Sequence, residues 1–198
     1  MSFEQQDLVK AAKLMKLIIQ KYADHINEKE RKTVGEIKAM INKDDLTIQS
    51  IATQFISESY SFPVNYPEAC KKVFEFVRDK IDDFELDIGI SYWLSPKDIV
   101  SVRFADDEDK AIFLCSLLYC LGDQNAEVVI VELDSSLPHA FVATTINEDF
   151  IILDPSQKTD FNEFLGKKPE VLGKYSYKNQ KIKKFLYKFN NSNYEQFE

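Results

Sequence analysis

Three residues far apart in the chain have the right types to act together: Asp107, His139 and Asp154. His139 opens the run His139-Ala140-Phe141-Val142, and Asp154 ends the run Phe150-Ile151-Ile152-Leu153-Asp154. In an antiparallel hairpin the start of one strand lies beside the end of the next, so these two runs would bring imidazole and carboxylate into hydrogen-bonding reach. A carboxylate in that place orients the ring and favours its charged form. Asp107 belongs to an acidic turn, Asp106-Asp107-Glu108-Asp109. A second carboxylate on the other side of His139 would raise its pKa further. Such a cluster suits acid–base chemistry or, with one histidine and two aspartates, a divalent metal. Each residue also has a plainer reading. Asp107 serves as a helix cap, worth about 1 kcal/mol, and His139 with Asp154 is a satisfied structural pair. His25 sits on the polar side of a surface helix and receives no role.

The elements that would carry these residues can be read from hydropathy. Leu8, Ala11, Ala12, Met15, Ile18, Ile19, Tyr22 and Ile26 recur at three- and four-residue steps, which makes an apolar stripe on a helix. That stripe is expected to bury against the rest of the chain, with a partner or membrane surface as the alternative. Val34 to Ile41 and Leu46 to Ile56 predict two more helices, the latter capped by Asp44 or Asp45. Pro67 suits the first turn of a helix carrying Ala69, Val73, Phe76, Val77 and Ile81, and Ser95-Pro96 starts a short one. The stretch from Asp106 to Gly122 is apolar almost all round, as a helix at the centre of a fold is. Its acidic first turn favours the positive end of the helix dipole, and Gly122 suits its C-terminal cap. Residues 126–133, 139–146 and 150–154 are short and β-branched, so they predict strands, with a turn at Asn147-Glu148-Asp149. A short helix is expected at TDFNEFL (159–165), and closing strands at KYSYK and IKKFLYKF. Helices followed by an antiparallel sheet make an α+β fold.

Composition narrows the function. Of 198 residues, 44% are hydrophobic and 29% charged, which are globular proportions. The net charge of −8 argues against a chain built throughout for nucleic acid or anionic membrane. Five glycines form no phosphate loop or dinucleotide fingerprint. Three cysteines and no export signal read as reduced thiols in the cytoplasm. Residues 167–188 hold eight lysines against one acid, with interleaved aromatics. Lysines of that kind protect an exposed edge strand, the alternative being a nucleic-acid contact. Three regions are expected: an N-terminal helical region packed on the core (1–60), the core (61–166), and a Lys/aromatic-rich tail (167–198).

ADDEDKA (105–111), HAFV (139–142) and DPS (154–156), with FVRDKI (76–81) and YWLSP (92–96) upstream, resemble the transglutaminase-like superfamily. That family has a papain-like fold. Its nucleophile motif looks like G-D-C-x-D-x-A, its histidine lies in an H-A-[FW]-V context and its aspartate in D-P-[TS]. The resemblance covers roughly residues 66–157 and is densest from Trp93 to Ser156. It implies a buried central helix packed on an antiparallel sheet and a site made of Asp107, His139 and Asp154. It also implies that Trp93 lines a binding pocket, where packing alone is the plainer reading. The nucleophilic cysteine position is occupied by Asp107, and the family's glycine by Ala105. A thiolate works at such a place because the helix dipole and an imidazolium lower its pKa. A carboxylate is already ionised and attacks amides poorly. Cys115 lies two turns further on, about 12 Å along the helix, and reads as a small buried hydrophobe. The expected function is therefore a non-catalytic module that binds a peptide or protein and needs no cofactor or metal. The alternative is an enzyme with altered acid–base or metal-assisted amide chemistry at the same three residues.

Overall fold

A hydropathy period that changes from 3.6 to two along the chain predicts helices first and strands later. The computed structural model, which describes residues 3–84 and 89–197, follows that order. The elements are α1 (Phe3–Lys21), α2 (Ala23–Glu30), α3 (Val34–Met40), α4 (Leu46–Ala52), α5 (Tyr66–Lys80), β1 (Asp82–Asp83), α6 (Pro96–Val102), β2 (Phe104–Ala105), α7 (Asp107–Cys120), β3 (Glu127–Leu133), β4 (Pro138–Ile146), β5 (Asp149–Leu153), β6 (Leu165–Gly166), α8 (Lys168–Lys174), β7 (Ile182–Phe189) and β8 (Tyr194–Gln196). Two compact units result. The first takes Met1–Thr33 and Glu85–Trp93, and the second takes Val34–Phe84 and Leu94–Glu198. The division thus falls after Thr33, and α3 and α4 belong with the sheet.

In the first unit, Asn27 ties the later segment to α2. Its side-chain N–H donates to the Gly89 carbonyl at 3.1 Å, and its oxygen accepts the Ser91 N–H at 2.7 Å. The apolar stripe of α1 is not buried. Leu8, Leu14, Met15, Leu17, Ile18 and Tyr22 are all exposed. A three-to-four-residue period reports that a helix has an apolar side, and says nothing of what covers it.

In the second unit, α7 occupies the middle. Asp106 is its N-cap and accepts the Asp109 N–H at 2.8 Å. All its residues from Asp109 to Tyr119 are buried. At its end, the Gly122 N–H donates to the Tyr119 carbonyl and the Asp123 N–H to the Leu118 carbonyl, both at 3.0 Å, the closing pattern of a Schellman cap. Gly122 has φ of +102°, and a Cβ there would meet the Phe62 ring at 3.2 Å. A larger residue would be strained on both counts. Asp45 caps α4 through the Thr47 and Ile48 N–H groups, and Ser95 caps α6 in a capping box with Asp98.

The sheet has six antiparallel strands in the order β6-β5-β4-β3-β7-β8. Helix α7 packs on β3 and β4. Alternation sends Val129, Val131, Phe141, Ala143 and Ile152 to the other face, where they cluster with Val171 and Tyr175. The β4–β5 hairpin turns at Asn147 and Glu148, both with positive φ, which matches strand twist in a two-residue loop.

Two expectations fail around the end of the chain, and a third holds in part. TDFNEFL forms turns, because its backbone joins the sheet: the Ile152 N–H donates to the Phe164 carbonyl at 3.0 Å, and Leu165–Gly166 becomes β6. KYSYK is no strand. Tyr177 and Gln180 form a single bridge around Lys178 and Asn179, both with positive φ. The lysine-rich strand is an edge over only part of its length. β8 pairs with Tyr187–Phe189 of β7, and no described strand covers the outer side of residues 182–185. Its lysines pair across to β3, Lys183 with Glu132 at 2.5 Å and Lys188 with Glu127 at 3.0 Å.

Candidate functional site

Each of the three aspartate and histidine side chains reaches the site for a local reason. Asp106 takes the capping role, so Asp107 is left as the first residue of α7 with its side chain free to leave the helix. The cap expected of Asp107 therefore falls one residue earlier. His139 is the second residue of β4, which runs on past its last register pair with β5, Val142↔Leu153. Beyond that pair the Ala140 N–H donates instead to Asp107 Oδ2 at 2.8 Å. The same oxygen lies 2.6 Å from His139 Nδ1. On its other side, His139 Nε2 lies 2.9 Å from Oδ2 of Asp154, which directly follows β5. The hairpin geometry thus brings Asp107, His139 and Asp154 together. His139 and Asp154 are buried, and Asp107 is half-buried.

The rest of the site was not legible in the chain. Asp154 Oδ2 also accepts the Tyr175 hydroxyl and the Gln157 side-chain N–H, each at 2.7 Å, and Oδ1 accepts the Ser156 N–H at 2.9 Å. The Tyr177 ring stacks on the imidazole with centroids 3.8 Å apart and planes 15° from parallel. Tyr175 and Tyr177 flank the end of α8, in the segment read as a lysine-rich tail. Their only sequence signal is a two-residue spacing, which places them on one side of an extended chain. Trp93 belongs to the first unit, at the end of the segment that Asn27 holds, and is half-buried.

Burial opposes a charged imidazole here, but the hydrogen bonds and charges of Asp107 and Asp154 outweigh it and raise His139 from 6.5 to about 9. Burial likewise opposes ionisation of Asp107, yet the bond to His139 holds its carboxyl below the usual range. At neutral pH His139 is therefore an imidazolium held against the Asp107 carboxylate. The neighbouring acids behave differently. Burial, then the charges of Asp107 and Asp106, push Glu108 up to about 7. Burial, then Asp106, push Asp109 up to about 8, although both its oxygens face the Leu94 N–H at 3.1 and 3.2 Å.

An imidazolium with both ring N–H groups donated to carboxylates has no lone pair left for a metal or for taking a proton. It can hold a proton, orient two acids and tie two elements together. Cys115 is fully buried and its thiol is pushed well above the usual range by burial. A cavity of about 340 Å³ lies elsewhere, between Asn125, Thr145, Glu148, Phe150 and Lys167.

A family model described as a transglutaminase-like domain matches residues 28–185. The chain belongs to that family. Among solved structures, it resembles LapG of Legionella pneumophila. The EGTA-treated form aligns with a TM-score of 0.51 at 19% identity, covering 77% of this chain and 84% of that one. The calcium-bound form aligns with a TM-score of 0.50 at 18% identity, covering 77% and 89%. At such identity the likeness is one of fold. No curated protein matches the chain.

Proposed function

We infer that this transglutaminase-like domain is non-catalytic and binds a peptide or protein, with Asp107 in the seat of a nucleophilic cysteine. The observation that carries this reading is the engagement of both His139 nitrogens, at 2.6 Å by Asp107 and 2.9 Å by Asp154. A cysteine–histidine enzyme needs its imidazole to withdraw a proton from the thiol and later return it. Here the partner at the helix N-terminus is an acceptor with no proton to give, and the imidazole already holds both of its own.

One observation favours a second reading. Asp107 is half-buried and so reaches solvent, and an imidazolium with a pKa of about 9 keeps a proton that it can donate at neutral pH. An altered acid–base amide chemistry at Asp107, His139 and Asp154 would start from that proton. One assay separates the readings. The protein is incubated with a glutamine-donor peptide and a primary amine, with and without divalent metal ions. The binding reading expects no turnover by the wild type. Turnover that disappears in His139→Ala would establish the enzyme instead.

A further inference from the structure

Helix α1 carries a charge pattern unlike the rest of the molecule. Residues 8–22, LVKAAKLMKLIIQKY, contain four lysines and no acid, in a chain whose net charge is −8. At about 100° per residue, Leu14, Ile18, Ala11, Tyr22, Met15, Leu8, Ile19 and Ala12 fill one continuous arc of about 160°. Lys10, Lys13, Lys16 and Lys21 occupy the remaining side, with Val9 and Leu17 among them. Lys16 borders one rim of the arc and Lys21 the other. None of the described residues of α1 is buried, and Leu8, Leu14, Met15 and Ile18 are exposed apolar groups on the arc. Lys10 pairs with Asp7 at 3.0 Å. Lys13 and Lys16 have no acidic partner among the described residues, and the Lys21 ammonium lies 5.5 Å from the Tyr22 ring centre.

We propose that α1 is an interfacial helix that lies on an anionic lipid surface, with Leu8, Met15, Ile18 and Ile19 in the acyl region and the lysines at the headgroups. A broad apolar arc flanked by lysines is the pattern of a helix lying in the membrane plane, since the long stems let the ammonium groups rise from the rim to the phosphates. Each lysine near such a surface adds attraction that salt screens. A second copy of the chain fits less well. Self-pairing along this arc would set rim lysines against rim lysines, with no acid between residues 8 and 22 to answer them. No helix among the described residues is long and apolar enough to cross a membrane, so the contact would be peripheral.

The test is flotation of the full chain with vesicles of pure phosphatidylcholine and of phosphatidylcholine mixed equally with phosphatidylglycerol. The expected result is binding roughly tenfold or more tighter to the anionic vesicles, weakened in 0.5 M salt, where the screening length falls to about 4 Å. Ile18→Glu should abolish it, and the joint change Lys13→Gln, Lys16→Gln and Lys21→Gln should remove the lipid preference. These side chains are exposed, so the thermal transition should stay with the wild type and exclude misfolding as the cause. The proposal is overturned by equal or absent binding to the two lipids, or by binding that these variants leave unchanged. It is equally overturned by a dimer in sedimentation that Ile18→Glu breaks while vesicles bind nothing, since the face would then belong to a second copy.

Discussion

Asp107 Oδ2 sits 2.6 Å from His139 Nδ1 and accepts the Ala140 N–H at 2.8 Å, so a single oxygen fastens the start of α7 to both the side chain and the backbone of β4. The buried helix and the sheet are locked together at this point. Asp107→Ala should remove both contacts while leaving the Asp106 cap intact. Urea unfolding at pH 6 should show a loss of about 1–3 kcal/mol, the cost of stranding donors next to a charge. A loss no greater than that of an exposed Asp7→Ala would mean that the contact is not a fastening.

Stability should fall as pH rises from about 5 to 9. The folded pKa of His139 is raised from 6.5 to about 9, so its contribution is complete below 6.5 and lost through 9. Glu108, raised from 4.5 to about 7, and Asp109, raised from 3.8 to about 8, act in the same direction. Their neutral forms fit the buried turn, and that advantage goes as each ionises. Asp107 has a lowered pKa and runs the other way, its contribution present above 3.8 and lost as the pH falls through its folded value. Unfolding midpoints measured across this range should decline. His139→Gln should flatten the decline between pH 7 and 9, and Glu108→Gln its earlier part. A wild-type profile that is level from pH 5 to 9 would contradict the charge assignment.

Asp154 is the hub of the cluster, with four donors on two oxygens. Asp154→Ala should cost about 3–5 kcal/mol, since it leaves a buried imidazolium without one of its acids. Tyr175→Phe removes one bond to a buried carboxylate and should cost about 1.5–3 kcal/mol. The ranking is checked by denaturation of both variants. Equal effects would mean that the hydroxyl, rather than the charge pair, dominates.

The approach of His139 and Asp154 was legible because a hairpin places the start of one strand beside the end of the next, and Asp107 was placed beside them by the family resemblance of ADDEDKA. The helix α7 was legible because an all-round apolar run suits only the centre of a fold. What sequence could not supply came from long returns of the chain. Tyr175 and Tyr177 lie more than thirty residues beyond His139, and only the packing of α8 against β5 brings them to the imidazole. A lysine-rich composition hid them, because charge pattern says which residues meet water and not which aromatics between them turn inward. The cap lies one residue before Asp107 because the neighbouring aspartates share the same cap preference, and only geometry selects Asp106.

Asp107→Cys should yield one reactive thiol. Cys70 is buried and pushed up to about 12, Cys115 is fully buried, and Cys120 is half-buried with its thiol pushed up by burial. A cysteine at the first position of α7, beside His139, would meet the helix dipole and an imidazolium, which both favour thiolate. Iodoacetamide at pH 7 should label the variant at residue 107 far faster than any wild-type thiol. Labelling no faster than the wild type would mean that the position is unsuited to a nucleophile.

The state of His139 is tested most directly by a nitrogen-resolved NMR titration of the imidazole. A doubly engaged imidazolium predicts both ring nitrogens protonated at pH 7 and a midpoint near 9. A midpoint at or below 6.5, or a bare ring nitrogen at pH 7, would contradict the doubly engaged imidazolium and return His139 to the role of a base.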